Sequence, residues 1–235
     1  MTTKLFYQQL DSTKMAHERL AAIGSNCDRW IIRAGTQTAG QGRGDNLWHS
    51  PEGGMWLSFD LLYPRPVASF PLYVGFCLHQ LLGWLYPLPK LKVKWPNDIY
   101  LDDAKLAGIL CHYQENRSRY LIGLGLNTNT NRDDVLLELD AAILSERMGM
   151  RLSNSTLADL ITLRVERNSD MLADPSGYIG YCAEHLHGLG RLAEVKTGCG
   201  MLRGVITGLN DEGFLLLSCN NGTLVPVTHG SLRVQ

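Results

Sequence analysis

Apolar and polar residues alternate weakly over positions 4–9, which predicts a short strand. Ser12 or Thr13 then stands before a segment running to about Leu20, which reads as a helix with a hydroxyl cap on its free amides. The run RWIIRAG over 29–35 has the character of a buried strand, and a polar, glycine-rich stretch over 36–54 separates it from a further strand, MWLSFDLLY. From Phe70 to Leu85 the chain is apolar almost all round, broken only by His79 and Gln80. That run is too long for one strand, so it predicts a buried helix with Pro71 in the first turn, where a missing N–H is tolerated.

Between 91 and 125 the pattern is that of strands: LKVKW, IYL, LAGILCHY and YLIGLGL, with turns at Asp102–Asp103 and Asn116–Ser118. Connections this short join antiparallel neighbours. Ser155 precedes a helical stripe of Leu157, Leu160, Ile161 and Val165 that closes at Asp174–Pro175, and a short helix is expected over 177–187. Past His187–Gly190 the texture changes to short apolar runs (192–195, 201–206, 214–218, 223–227, 231–234) divided by turns such as Asn210–Gly213 and Asn220–Gly222. This predicts a small β-barrel over 189–235 appended to a larger α+β domain over 1–188.

The chain has 235 residues, 45% of them hydrophobic, which suffices for a sizeable core. Its 22 Lys and Arg against 23 Asp and Glu leave a formal net charge of −1, so the broadly basic surface expected of a nucleic-acid or anionic-membrane binder is missing. The N-terminal MTTKLFYQQLDST has no secretory pattern, and no stretch approaches the ~18 apolar residues of a membrane span. Cys27, Cys77, Cys111, Cys182, Cys199 and Cys219 are scattered singly, which fits reduced thiols in a cytoplasmic enzyme. His185 and His187 form the only close histidine pair, on a polar segment, and the chain has no CxxC pair, so a protein-only metal site is not expected.

Glycine is in surplus, 24 residues or about 10% against a usual ~7%. Four glycines (Gly35, Gly40, Gly42, Gly44) fall within ten residues between two strands, where successive N–H groups can turn inward as an anion site and Arg43 adds a charged fork. Such a loop serves equally well as a plain turn, and it is neither a P-loop nor a dinucleotide fingerprint. A second constellation, Lys94-Trp95-Pro96-Asn97-Asp98 followed by Lys105-Leu106-Ala107-Gly108, is an abrupt polar break in an apolar sheet. Asp98 and Lys105 lie on adjacent strands joined by a tight turn and can face one pocket. An ordinary surface pair, worth under ~1 kcal/mol, would account for them. It leaves Gly108 unexplained, because a glycine inside a strand marks the close approach of a ligand or another backbone.

Taken together, these segments resemble the biotin protein ligase family. The matching motifs are Gln37-x-x-Gly-x-Gly-Arg43 with Trp48-x-Ser-Pro, Lys94-Trp-Pro-Asn-Asp98 with Lys105-x-x-Gly-Ile-Leu, Asp11-Ser12-Thr13 at the first helix, and Gly123-Leu-Gly-Leu-Asn127. They follow the family's order over nearly the whole chain. The resemblance implies a mixed sheet related to class II aminoacyl-tRNA synthetases, a terminal Src-homology-3-like barrel, and a monofunctional type without an N-terminal DNA-binding domain. It implies activation of biotin by ATP with Mg²⁺, giving biotinyl-5′-AMP, and transfer to a lysine of a biotin carboxyl carrier protein, by a monomer or homodimer.

The implied roles are as follows. Lys105 bridges the biotin carboxylate and the α-phosphate, Arg43 closes over the intermediate, and Asp98 orients or deprotonates the incoming lysine. Ser12, Thr13, Gln37, Gly40 and Gly108 join Arg43 and Lys105 on the biotin side, while Trp48, Asn97 and Asn127 join them on the adenylate side. Two unit anions ~4 Å apart at an effective dielectric of ~20 repel by roughly 4 kcal/mol, which is what Arg43, Lys105 and the loop amides must offset. The chain departs from the family pattern in having Arg43 as the single loop arginine beside Gln41, Gly44, Asp45 and Asn46, Lys14 after the Ser-Thr pair, and Thr228-His229 in place of a Gly-Glu. A lipoate or octanoate ligase of the same superfamily shares the Lys-x-x-Gly element but not the Gly-x-Gly-Arg loop. A nucleic-acid module built on Lys90, Lys92, Lys94 and the terminal barrel is opposed by the net charge.

Overall fold

The computed structural model describes residues 2–23, 29–44, 46–135, 141–219 and 222–235; Cys27, Asp45 and Asn220 lie outside the described residues. In chain order the first half comprises β1 (Thr2–Leu10), α1 (Thr13–Ile23), β2 (Arg29–Gln37), β3 (Met55–Leu62), α2 (Phe70–Leu85), β4 (Leu91–Lys94), β5 (Asp98–Leu101), β6 (Ala104–Gln114) and β7 (Arg119–Leu126). The strands form one seven-stranded sheet ordered β1-β2-β3-β7-β6-β5-β4. Only β1 and β2 run parallel, as a helical crossover through α1 permits, and the ladders from β2 to β4 are antiparallel.

Among the described residues four helices follow: α3 (Arg132–Val135), α4 (Leu144–Met148), α5 (Asn154–Arg167) and α6 (Ser176–Glu184). Ser153 caps α5 by accepting from the Thr156 amide. The apolar stripe expected to close at Asp174–Pro175 ends as a helix at Arg167, and a 3-10 turn over Ser169–Leu172 carries the chain onward. The helix expected over 177–187 stops at Glu184, because 185–187 instead bond to the edge of the sheet: the Val93 amide donates to the His185 carbonyl and the His187 amide to the Val93 carbonyl, each at 2.9 Å. α3 and α4 are too short to leave a periodic signature.

One sheet face carries Met55, Leu57, Phe59, Ile99, Leu101, Ile109, Ile122, Leu124 and Leu126 into a continuous core against α2, α5 and α6. α2 is buried over most of its circumference, in keeping with its uniformly apolar sequence. Each such side chain contributes about 1.5–3 kcal/mol by leaving water. The opposite face is more polar. Beneath α1, Asp60 is buried with Arg119 and His17. Its carboxylate accepts from Arg119 Nη1 at 2.7 Å and from the Trp30 amide at 3.1 Å, with His17 Nε2 at 3.3 Å.

The terminal segment holds β8 (Leu192–Thr197), β9 (Gly200–Leu209), β10 (Leu215–Ser218), β11 (Leu224–Val227) and β12 (Ser231–Val234), an antiparallel sheet ordered β11-β10-β9-β8-β12. The molecule is therefore mixed α+β with two separate sheets. The smaller sheet docks through its turns: Trp95 Nε1 donates to the Gly213 carbonyl at 3.1 Å, and Arg43 donates to the Gly230 carbonyl. At the junction His187 Nε2 lies 3.0 Å from Asp103 Oδ1. No helix among the described residues is long and apolar enough to cross a membrane.

Candidate active site

Directly opposed residues of an antiparallel ladder share a face. The register aligns Trp56, Gly125, Gly108 and Asp98 in one row across β3, β7, β6 and β5, and Ser58, Gly123 and Leu110 in the next. Three glycines on these two rows remove side chains from the middle of the face. A cleft of about 360 Å³ opens there, roofed by the loop between β2 and β3 and flanked by the start of α1.

Of the residues expected in a site, Ser12, Thr13, Gln37, Arg43, Trp48, Asn97, Asp98, Lys105 and Gly108 line this one cleft. At one end the Gln37 carboxamide accepts from the Thr13 amide at 2.8 Å and its hydroxyl at 3.1 Å, and donates to Ser50 Oγ at 2.7 Å. Thr13 Oγ1 is also 2.9 Å from Ser58 Oγ. Ser12 and Thr13 are almost wholly buried, so this end is a polar, water-poor pocket of fixed donors and acceptors.

At the other end Lys105 Nζ lies 3.1 Å from Asp98 Oδ1, an ion pair whose angles fall outside hydrogen-bond geometry. The same ammonium stands 4.9 Å from the centroid of Trp48. The indole lies flat against the glycine row, since a Cβ on Gly108 would be 2.6 Å from Trp48 Cζ3 and one on Gly125 2.4 Å from Trp48 Nε1. The close approach anticipated at Gly108 is thus made, in this structure, by a side chain of the loop. Asn97 Nδ2 donates to the Ile109 carbonyl at 2.7 Å and ties the polar break to β6. Burial pushes the Arg43 guanidinium below its usual range, and the nearby Asp98 carboxylate acts in the opposite direction; an arginine remains charged throughout.

Two expected residues lie outside the cleft lining. Gly40 folds the loop on itself: a Cβ there would be 2.3 Å from the Trp48 carbonyl oxygen and 2.7 Å from Ser50 Oγ. Asn127 is buried behind Lys105, where Nδ2 donates to the Lys105 carbonyl at 3.4 Å. The loop amides are also partly committed, the Gly42 N–H donating to the Asn46 carbonyl at 2.8 Å. Lys14, Ser58, Gly123, Gly125 and Ser231 also line the cleft, beyond the residues expected from the sequence. Gly123 and Gly125 did carry a signal, because two glycines spaced by two on one strand clear a single face.

The model of the biotin/lipoate A/B protein ligase family matches residues 5–129, a stretch that holds every cleft residue named above except Ser231. The chain belongs to this family. It is 31% identical over 229 residues to the bifunctional ligase/repressor BirA of Bacillus subtilis, spanning 93% of this chain and 70% of that relative. A biotin–acetyl-CoA-carboxylase ligase of Paracoccus denitrificans is 27% identical over 223 residues, or 88% of this chain and 90% of the relative. The biotin protein ligase of Aquifex aeolicus, solved in complex with biotin and ATP, superposes with a TM-score of 0.83 at 25% identity over 99% of both chains. In the family's terms, the roof of the cleft is the Gly-x-Gly-Arg loop and its floor the Lys-x-x-Gly strand.

Proposed function

We propose that the chain is an ATP-dependent biotin protein ligase. The observation that carries this reading is one cleft with two unlike ends: fixed neutral donors and acceptors at Thr13, Gln37 and Ser58, beside Lys14, which is paired with Glu18 on α1, and the cations Arg43 and Lys105 at the other. A urea-type head matches the first end. These groups are already bonded to one another, and a urea can use the donor and acceptor capacity that they have left, such as the second Gln37 Nε2 hydrogen; a dithiolane, which lacks such groups, would bury that capacity unused, the kind of mismatch by which a polar site discriminates. This favours biotin over lipoate.

In the first step a biotin carboxylate oxygen attacks the α-phosphorus of ATP, and the bond to pyrophosphate breaks. Lys105, facing both groups, offsets the repulsion of the two anions, and Arg43 meets the phosphate from the loop side. In the second step the amine of an acceptor lysine attacks the acyl carbon, the bond to AMP breaks and the amine loses a proton. Asp98 is the carboxylate positioned to orient that amine once Lys105 turns toward the phosphate. Trp48 supplies the apolar face for the adenine.

No group of three or more His, Cys, Asp or Glu among the described residues is arranged to hold a metal, and Asp98, the one carboxylate among the described lining residues, is paired with Lys105. Mg²⁺ is therefore read as arriving on the triphosphate of the substrate, as that ion's preference for phosphate oxygens and water allows. The same reading takes 1–188 as the catalytic unit and 189–235 as a Src-homology-3-like barrel. It places the enzyme in the cytoplasm as a monomer or homodimer, with a biotin carboxyl carrier protein as acceptor. The test is incubation with Mg-ATP, biotin and a biotin carrier domain, following avidin-reactive product. Transfer of lipoate without transfer of biotin would overturn the assignment.

A further inference from the structure

The smaller sheet meets both chemistry-bearing segments through carbonyls of glycines, and one of these contacts reaches into the cleft. Gly230, in the turn between β11 and β12, accepts a hydrogen bond from Arg43 Nη2 across 187 positions of sequence. The turn has little freedom. Gly230 has a φ of +155°, and a Cβ there would stand 2.5 Å from Val195 Cγ1 and 2.9 Å from the Lys196 carbonyl oxygen. Ser231, the next residue, pairs with Lys196 of β8 and itself lines the cleft.

The chemistry of the acceptor matters. A carboxylate in this position would hold the guanidinium but cancel its charge. A neutral carbonyl orients it through a charge-assisted hydrogen bond and leaves the positive charge for an incoming anion. Asp98, the nearby carboxylate, is occupied by Lys105. With one arginine in the loop, its placement decides whether the roof of the cleft is electropositive at the right point.

We infer that the β11–β12 turn is a positioning element for the active-site loop, with the Gly230 carbonyl holding Arg43 over the cleft before substrate arrives. Gly230 touches no reacting atom and acts through Arg43. Its consequence for retention of an acyl-adenylate rests on the ligase reading, whereas the contact itself does not.

Two measurements on the full chain separate these. In the unliganded protein, Arg43→Ala should speed amide hydrogen exchange over 228–232 about tenfold, the scale of one lost hydrogen bond to a charged group, with β9 and β10 unchanged. Unaltered exchange in that turn would overturn the inference, whatever the activity. In the presence of Mg-ATP and biotin, Gly230→Ala should raise release of the adenylate into solution roughly tenfold in the wild-type background and have no further effect in Arg43→Ala. Full additivity of the two substitutions would show that the turn does not act through Arg43 and would overturn it equally. If Gly230→Ala does not fold, the exchange measurement on Arg43→Ala decides alone. A wild-type protein that forms no adenylate refutes the ligase reading, while the exchange result still decides the contact.

Discussion

Replacing Gly125 with alanine tests whether the glycine row exists to seat the Trp48 indole. The added methyl carbon would lie 2.4 Å from Trp48 Nε1 and 2.5 Å from Cε2, whereas ordinary contact begins at about 3.4 Å, so the ring must retreat by about 1 Å. In a rigid core, an overpacked methyl costs about 1–3 kcal/mol of stability. Here the atom that yields belongs to a loop side chain whose Nε1, although buried, has no hydrogen-bond partner to hold it. The cost therefore falls on the seated position of the loop and leaves the global fold almost untouched. At about 1.4 kcal/mol per factor of ten, the KM for ATP should rise roughly 10- to 100-fold. Biotin affinity, which the proposed function assigns to the Thr13 and Gln37 end, should change by less than about threefold. The assay is biotin-dependent pyrophosphate release against ATP concentration, with calorimetry for biotin and a thermal melt. A chain of this size loses roughly 2–4 °C in Tm per kcal/mol. A drop of that order with an unchanged KM for ATP would refute the reasoning, because it would mean that Trp48 packs as core.

Three further outcomes follow from the same geometry. Lys105→Ala should slow adenylate formation by about a thousandfold, the equivalent of the roughly 4 kcal/mol of repulsion between two anions at ~4 Å; pyrophosphate release within tenfold of wild type would remove Lys105 from its role. Arg119→Met leaves the buried Asp60 carboxylate without its cation at 2.7 Å and should cost about 3–5 kcal/mol in denaturant unfolding, much of it recovered when Asp60→Asn is added. Burial pushes His79 down to about 4 from 6.5, so the unfolded chain takes up its proton first as pH falls. The His79 contribution to stability should be intact above about pH 6.5 and lost progressively down to about pH 4, by roughly 3 kcal/mol. His79→Gln should flatten that part of the pH profile, and an unchanged slope would show that another group sets it.

The fold was largely legible because its elements have clear periods. The all-apolar run at Phe70–Leu85 became α2 with those boundaries, and the 91–125 segment became an antiparallel ladder. The readings that failed concern where an element stops. Leu172 continues the apolar pattern beyond Arg167, and it is buried, but from a 3-10 turn instead of a helix. His185 and His187 leave α6 because an unpaired strand edge at Val93 offers their backbone better partners than another helical turn. Such competition is tertiary, and local periodicity does not carry it.

The cleft shows the same division in sharper form. Arg43, Asp98, Lys105 and Gly108 stood out because each breaks a local pattern. Gly123 and Gly125 carry a weaker signal, a spacing of two that clears one face of a strand, and what that cleared face is for lies across the ladder. The register that sets Gly125 opposite Gly108, and Gly108 opposite Asp98, follows from the shift between Ile99 and Tyr100 on β5 and from the lengths of two turns. A one-residue slip would turn every one of these side chains to the other face. Asn127 and Gly40 show the converse. Both belong to motifs that read as binding groups, and the contacts they make within the chain are to the Lys105 carbonyl in one case and to Trp48 and Ser50 in the other. A motif therefore reports that a stretch of chain is committed to a site. Which of its atoms face the ligand and which hold the others in place is decided by pairings that span the sheet, such as the contact between Arg43 and a turn 187 residues away.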